Sequence, residues 1–436
     1  MRNLLAIVLA VATLLTFTAC GSENENELRD ETDSTNSTVS YEDVESSEDQ
    51  ASSGTTSELT SQEKFKFRWE LNGDTITISG EGDLSDYILD DVPRKESIKK
   101  AVILDGITAV GSDVFENWSS LVSVEMSDSV TDIGYTAFGG TPILESESNW
   151  EGDALYLNDI LLRVREDASF SDFAIKEGTR IIGSGALQEQ ENLKAITIPD
   201  SVTTIGCRAF ADCENLEAVT LGASTTTIRL GAFIECGSLT NVVFPEGLTD
   251  IHSEAFKECW ALENVTIPES VTFIGSFAFT VGSVKRVNIS SLEAWCNITF
   301  ESWIANPLSQ ETELYLDGEK VEHLVIPDGI EVIKDHAFFG YKGITSATLS
   351  GSVETISYGA FGECSNLASI TIPCSVKSIE KFVFDECESL ADITYEGTKA
   401  QWEAIEKGTH WDDTTGLYEP GAFTVHCIDG DIENQQ

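Results

Sequence analysis

The sequence predicts a β-rich solenoid, and three observations predict it. Phenylalanine recurs at a spacing of 23 residues: Phe115 and Phe138; Phe210, Phe233, Phe256 and Phe279; Phe338, Phe361 and Phe384. Leu187 takes the same place in "IIGSGAL". Five residues before each stands Ile or Val: Val110, Ile133, Ile182, Ile205, Ile228, Ile251, Ile274, Ile333, Ile356 and Ile379. Ahead of that pair, stretches such as "LKAITI" (193–198) and "LENVTI" (262–267) alternate with β-branched residues, the pattern of a half-buried strand. A fixed period in the twenties marks units that cannot bury their own apolar face and must stack on the next.

The elements follow in order. "MRNLLAIVLAVATLLTFTAC" has one basic residue, Arg2, and a short apolar run, as a secretory signal should, so residues 1–19 are expected to be removed. Thr18, Ala19 and Cys20 resemble a bacterial lipoprotein cleavage box, with Phe17 where Leu is commoner. That resemblance implies lipid on Cys20; the alternative is ordinary secretion with a Cys near the cut. Residues 20–63 are Ser, Thr, Glu, Asp and Asn almost throughout and are expected to form a disordered acidic tether. Residues 64–104 form an expected N-terminal cap, since "FKFRWELNGDTITISGEGDLSDY" alternates around Asn72-Gly73, a hairpin signal.

The solenoid proper is expected over 105–427. Pro199, Pro245, Pro268, Pro327 and Pro373 follow the strand at one position, where the missing N–H stops it. A turn leads to "IGxxAF", with Ile and Phe inward, and the chain returns past Cys. Insertions interrupt the stack near 142–180 and 288–323, each with an "LYL" strand entering a small hairpin. From 395 a C-terminal cap repeats the second insertion, "TYEGTKAQWEAIEKGTHW" echoing "NISSLEAWCNITFESW". Trp295 and Trp402 are expected to cover an exposed end of core; "TVHCIDG" supplies a closing strand, and 428–436 a tail.

Over roughly residues 64–427 the unit Leu-x-x-Ile-x-Ile-Pro-x-Ser-Val-x-x-Ile-Gly-x-x-Ala-Phe-x-x-Cys resembles the 23-residue leucine-rich repeat of BspA-like bacterial surface proteins. The resemblance implies a right-handed superhelix or horseshoe of short parallel strands with irregular or short-helical returns. It also implies a binding or adhesion role at the cell envelope, toward host matrix, host cells or other bacteria.

The formal net charge of −49, from 75 acidic and 26 basic residues, argues against nucleic acid and against adsorption to anionic lipid. The membrane is therefore expected to be met only through the N-terminal lipid, and the protein to be an exported, surface-exposed monomer. Nine cysteines besides Cys20 make no closed disulfide set, and no Cys/His cluster suggests zinc. Cys213, Cys236, Cys259, Cys364 and Cys387 are expected to be buried free thiols. Cys207 and Cys374 fall outside that rank and are expected on the surface, as the more reactive pair. His252, His323, His336, His410 and His426 occupy different phases of the repeat, and no GxSxG, HExxH or phosphate-loop motif is present. No catalytic residue, metal or cofactor is expected.

Two sets of residues remain as candidate contacts. Thr197, Thr220, Thr266, Thr348, Thr371 and Thr394 fall at the solvent-facing middle of the strand, a candidate binding face for an extracellular protein. Their simpler role is the β propensity of Thr on a solvated sheet. Trp150, Tyr156, Trp303 and Tyr315 in the insertions suit stacking on a glycan, as an accessory glycan-binding lipoprotein would need. Packing the insertions onto the solenoid is the competing role, and an enzyme on a repeat scaffold is a third reading.

Overall fold

The computed structural model describes residues 59–60, 67–84, 86–279, 283–308, 311–416 and 421–434. The expected signal, Cys20 and the tether as far as residue 58 lie outside the described residues. The chain divides into two compact units, one ending at Val130 and including Thr136–Ile143, the other formed by Thr131–Tyr135 and everything from Leu144.

In the first unit Arg68–Asn72 pairs antiparallel with Thr75–Ser79. The two-residue loop between them is Gly73-Asp74, one residue later than the sequence signal, with Gly73 at φ 64. A left-handed first loop residue matches the twist of the two strands, and glycine adopts it freely. Thr75–Ser79 then pairs in parallel with Lys100–Ile103, and that strand with Ser123–Met126. Lys100 is opposite Ser123, so the 23-residue register begins inside the segment expected to be a cap. Ile76, Ile78 and Ala101 are fully buried, and Phe115 stacks on Phe138 with centroids 5.6 Å apart.

In the second unit two parallel ladders run side by side through the coils. One joins first strands such as Ala195–Thr197, Ala218–Thr220 and Asn241–Val243. The other joins two-residue second strands, from Ile181–Ile182 through Thr204–Ile205, Thr227–Ile228 and Asp250–Ile251 to Phe273–Ile274. Between the two strands of a coil the proline carbonyl closes a tight turn: it accepts the N–H three residues on, at Pro199–Val202, Pro245–Leu248, Pro268–Val271 and Pro373–Val376. Phe210, Phe233, Phe256 and Phe279 stack at 4.9, 5.2 and 5.6 Å, with interplanar angles of 9° or less. This is the coil spacing, about 4.8 Å. Phe338, Phe361 and Phe384 continue the pattern, and each such ring contributes about 1.5–3 kcal/mol by its burial.

In most coils the return after the second strand uses two left-handed residues. Arg208 and Asp212 have φ of 53° and 60°; Glu254 and Glu258 have 60° and 63°; Phe382 and Glu386 have 57° and 55°. This backbone sends alternate N–H groups in different directions. Ala209 and Ala211 donate locally, to Gly206 and Arg208, while Phe210 and Asp212 donate to Ala232 and Ile234 of the next coil. For a side chain other than glycine each left-handed position costs about 1–2 kcal/mol, which the inter-coil bonds and the stacked core offset.

The Cys rank has a hydrogen-bonding reason. Cys213, Cys236 and Cys259 donate from Sγ to the carbonyls of Leu187, Phe210 and Phe233, all at 3.1 Å, and Cys364 and Cys387 do the same to Phe338 and Phe361. Where Cys is absent another donor fills the slot: Gln190 to Arg165 O at 3.1 Å, Tyr341 to Val321 O at 2.5 Å. All are free thiols, as expected, and burial pushes the Cys364 and Cys387 thiols well above their ordinary range. Cys374 is exposed, but Cys207 is buried, against the expectation that it lies on the surface. Its coil is clasped tightly: the Cys207 carbonyl accepts Gly185 N–H at 2.9 Å, and a Cβ on the adjoining Gly206 would stand 2.7 Å from Ile182 O.

Both insertions resolve into hairpins. Ala154–Leu157 pairs antiparallel with Ile160–Val164, which then leads the parallel stack; Glu313–Leu316 pairs antiparallel with Glu319–Lys320. The second insertion and the C-terminal segment share one order of elements. Arg286–Ile289, helix Leu292–Cys296, Thr299–Phe300 and the hairpin correspond to Asp392–Tyr395, helix Lys399–Ala404, Glu406–Lys407 and the hairpin Phe423–Cys427 with Gly430–Asn434. Residues 430–434 are thus a paired strand within the segment set apart as a tail. Trp295 and Trp402 are both buried. Trp295 does not end the stack, because another coil follows it. Its Nε1 donates to Ala337 O at 2.8 Å, joined by Asn306 Nδ2 at 3.1 Å, so side chains supply the donors that a preceding coil's backbone supplies elsewhere.

Candidate functional site

The parallel register turns the scattered Thr residues into columns. Thr197 lies opposite Thr220 and Thr220 opposite Val243. Thr266 lies opposite Asn288, and Asn288 opposite Tyr315. In the longest run Val325, Thr348, Thr371, Thr394 and His426 follow one another across five strands. Thr197, Thr220, Thr266, Thr348 and Thr394 are exposed and Thr371 is half-buried, so the alternation does place this position outward. A parallel column with the composition His323, Ser346, Ser369, Asp392 and Thr424 runs beside the longest one.

His426 terminates the column between two carboxylates, Nε2 at 2.9 Å from Asp392 and Nδ1 at 3.0 Å from Asp431. Both partners push its pKa up, Asp392 most. The sequence reasoning did not single out this trio. Its only signal was that His426 lies one strand beyond Thr394 at the same phase.

The insertion aromatics divide. Trp150 is half-buried beneath Arg165, 4.2 Å from the ring centre, and donates to Leu144 O. Tyr156 is half-buried, its hydroxyl accepting Lys176 N–H at 3.0 Å. Tyr315 joins the Thr266 column, but Arg286 covers its ring at 3.5 Å and its hydroxyl donates to Glu313. These three rings are engaged by neighbouring side chains and backbone, Trp150 and Tyr156 within their own insertion and Tyr315 with the strand beside it. Trp303 alone of the four remains widely open, 50% exposed.

Carboxylates make up the other conspicuous surface. The left-handed position before the slot residue holds Glu189, Asp212, Glu235 and Glu258 in successive coils and Glu363 and Glu386 further on, with Gly340 before Tyr341. Burial pushes the Glu235 carboxyl up, and Asp212 and Glu258 beside it push the same way; Glu363 is raised by burial and by Glu386. Two of these, Glu189 and Asp212, line an open groove of about 570 Å³ with Glu166, Asp167, Glu191 and Glu214, and the lining contains no basic residue. This surface repels anions, in keeping with the charge argument against nucleic acid. Among the described residues no three His, Cys, Asp or Glu side chains are placed to hold a metal ion, and no helix is long and apolar enough to cross a membrane.

Stacked 23-residue coils with parallel first strands, Phe ladders and buried donor slots define a leucine-rich-repeat solenoid. The family model for the BspA type leucine rich repeat region matches six copies over residues 88–149, 166–303 and 312–408, more than half of the chain, and the chain belongs to that family. No curated protein matches the chain. Among solved structures it is similar to a leucine-rich repeat protein from Eubacterium ventriosum, at 20% identity over 86% of this chain and 100% of that one, with a TM-score of 0.32. A leucine-rich repeat protein from Bacteroides ovatus is 19% identical over 84% and 98%, with a TM-score of 0.42. A leucine rich cell surface protein from Faecalibacterium prausnitzii is 21% identical over 80% and 98%, with a TM-score of 0.35. Membership of the family points in general to a protein-binding or adhesion-type role at the cell surface.

Proposed function

We propose that this protein is a surface-displayed adhesion module that holds a large extracellular protein against the outward side of its first strands. The observation that supports this most is the column Val325, Thr348, Thr371, Thr394 and His426: one side-chain position repeated across five hydrogen-bonded strands. Such a face is held rigid by its own ladder, so contacts along it need little ordering, and affinity comes from summing many modest contacts. Host matrix, host cells or other bacteria are the partners in view. Display is by lipid on Cys20, and Cys20→Ser should release the protein from the membrane fraction into the medium.

The test immobilises the full mature chain and screens it against extracellular-matrix and bacterial surface proteins. One ligand should bind saturably, and the combined change Thr348→Lys, Thr371→Lys and Thr394→Lys should weaken it at least tenfold with the melting temperature unchanged. A screen without a saturable ligand, or equal binding by the variant, rejects the reading.

A further inference from the structure

We propose that the second unit carries, apart from the strand face, a binding row for a neutral polysaccharide built from Trp303, Phe339, His336, Tyr358, Phe382 and His410. These side chains form one unbroken sequence of ring contacts. Centroids are 5.7 Å apart for Trp303–Phe339, 5.7 Å for Phe339–His336, 5.2 Å for His336–Tyr358, 5.7 Å for Tyr358–Phe382 and 5.5 Å for Phe382–His410. Trp303 is 50% and Tyr358 40% exposed, Phe339, Phe382 and His410 are half-buried, and His336 is buried and links Phe339 to Tyr358. Single exposed aromatics are ordinary on a surface, but a contiguous row of them is not.

The backbone explains how the rings come to lie in line. His336, Phe382 and His410 have φ of 59°, 57° and 59°, in the left-handed region that bulky residues avoid. Other coils of the same unit hold Gly185, Gly231, Arg208, Glu254 or Phe277 at this point of the return, so the left-handed turn belongs to the coil and the residue chosen there varies. In the coil where the position is Gly359, Tyr358 one residue earlier brings its ring between His336 and Phe382. A ring therefore stands in the row at every coil from His336 to His410, partly against backbone preference.

The chemistry favours a sugar chain. From Phe339 through Tyr358 and Phe382 to His410 the row advances by one coil per ring, about 4.8 Å, comparable to the length of one pyranose residue in an extended chain, so successive sugars meet successive rings. Sugar C–H faces pack on aromatic rings as other apolar groups do, and polar groups border the row for the hydroxyls. Asp335 and Lys381 are exposed beside it, and the Glu380 carboxylate lies close enough to accept the Tyr358 N–H at 3.1 Å. The net charge of −49 disfavours a polyanion.

The test is affinity electrophoresis of the full mature chain through gels containing xyloglucan, mixed-linkage β-glucan, galactomannan or starch, with polygalacturonate as the anionic control. At least one neutral polysaccharide should retard the wild-type protein. The variant Trp303→Ala with Phe382→Gly and His410→Gly should bind it at least tenfold more weakly while melting no lower, because glycine relieves the left-handed positions. Trp260→Ala, an exposed tryptophan elsewhere, should bind as wild type. Retardation by no neutral polysaccharide, by polygalacturonate alone, or equally in the variant overturns the proposal. If the variant melts lower, Trp303→Ala alone decides: it must weaken retardation, and unchanged retardation overturns the proposal. Failure here leaves the strand face untouched, since the Thr variants keep every ring of the row.

Discussion

Glu235 sits at φ 61, between Asp212 and Glu258 at the same place in the neighbouring coils. It is disfavoured twice, by a left-handed backbone and by like charges on either side, and its carboxyl is raised by burial first and by those neighbours next. Glycine would remove both effects at the cost of its own chain entropy. Glu235→Gly should therefore stabilise the protein, with a net gain on the order of 0.5–1 kcal/mol after the entropic term is subtracted from the left-handed one. Calorimetry checks this, and a lower melting temperature in the variant would show that the Glu235 side chain makes a compensating contact. The Cys slots show the opposite case, a residue whose identity the local chemistry demands: a compact donor aimed at a buried carbonyl.

Among the elements, the second insertion is the place where the stack could have stopped. Trp295 and Asn306 let it resume by donating to Ala337 O. Trp295→Phe keeps the ring but removes the N–H and should cost about 1–3 kcal/mol, with faster amide exchange through Val332–Ile333 and Phe338. Exchange that speeds up only in the Leu292–Cys296 helix would refute that link. The coils, the hairpins and the likeness between this insertion and the C-terminal segment were legible, because Phe, Ile and Pro recur in phase and chain length sets the gaps. The misplacements have physical causes. The Asn72-Gly73 signal named the right glycine but not its place in the loop, since either residue can begin a two-residue turn. Cys207 looked superficial because it falls outside the inward Cys rank; tight contact with the preceding coil buries it. The aromatic row was invisible to a search by column because Tyr358 fills it from one residue out of phase. Left-handed backbone at Glu235 or Phe382 left no mark either, since only glycine and asparagine announce it in sequence.

For the whole molecule, the charge of −49 becomes a statement about pH. Asp385 is pushed up to about 6 by burial, then by Asp413 and Glu386, with His410 opposing. Glu363 is raised by burial, Glu386 and Asp385 against Lys342, and Glu235 by burial, Asp212 and Glu258 against Arg208. A carboxyl whose folded pKa lies above its unfolded value is more readily protonated in the folded state. Its favourable term is fully present below the unfolded pKa and is lost as pH rises through the folded one. His426, raised by Asp392 and Asp431, acts in the same direction, stabilising below about 6.5 and losing that contribution as pH rises through its folded value. His336, lowered by burial, opposes them, since the folded state resists its protonation. Glu311 and Glu313, lowered by Lys285 and Lys320, also oppose them, but chiefly below the 4.5 of an ordinary glutamate, so the melting temperature should rise as pH falls from about 8 to about 5. Added salt at pH 8 should produce part of the same rise by screening the exposed carboxylates. Thermal scans over that range decide the matter: a melting temperature that is flat, or that falls on acidification, would mean that the stacked acids are relaxed in solution by water or cations and that their repulsion does not limit the fold.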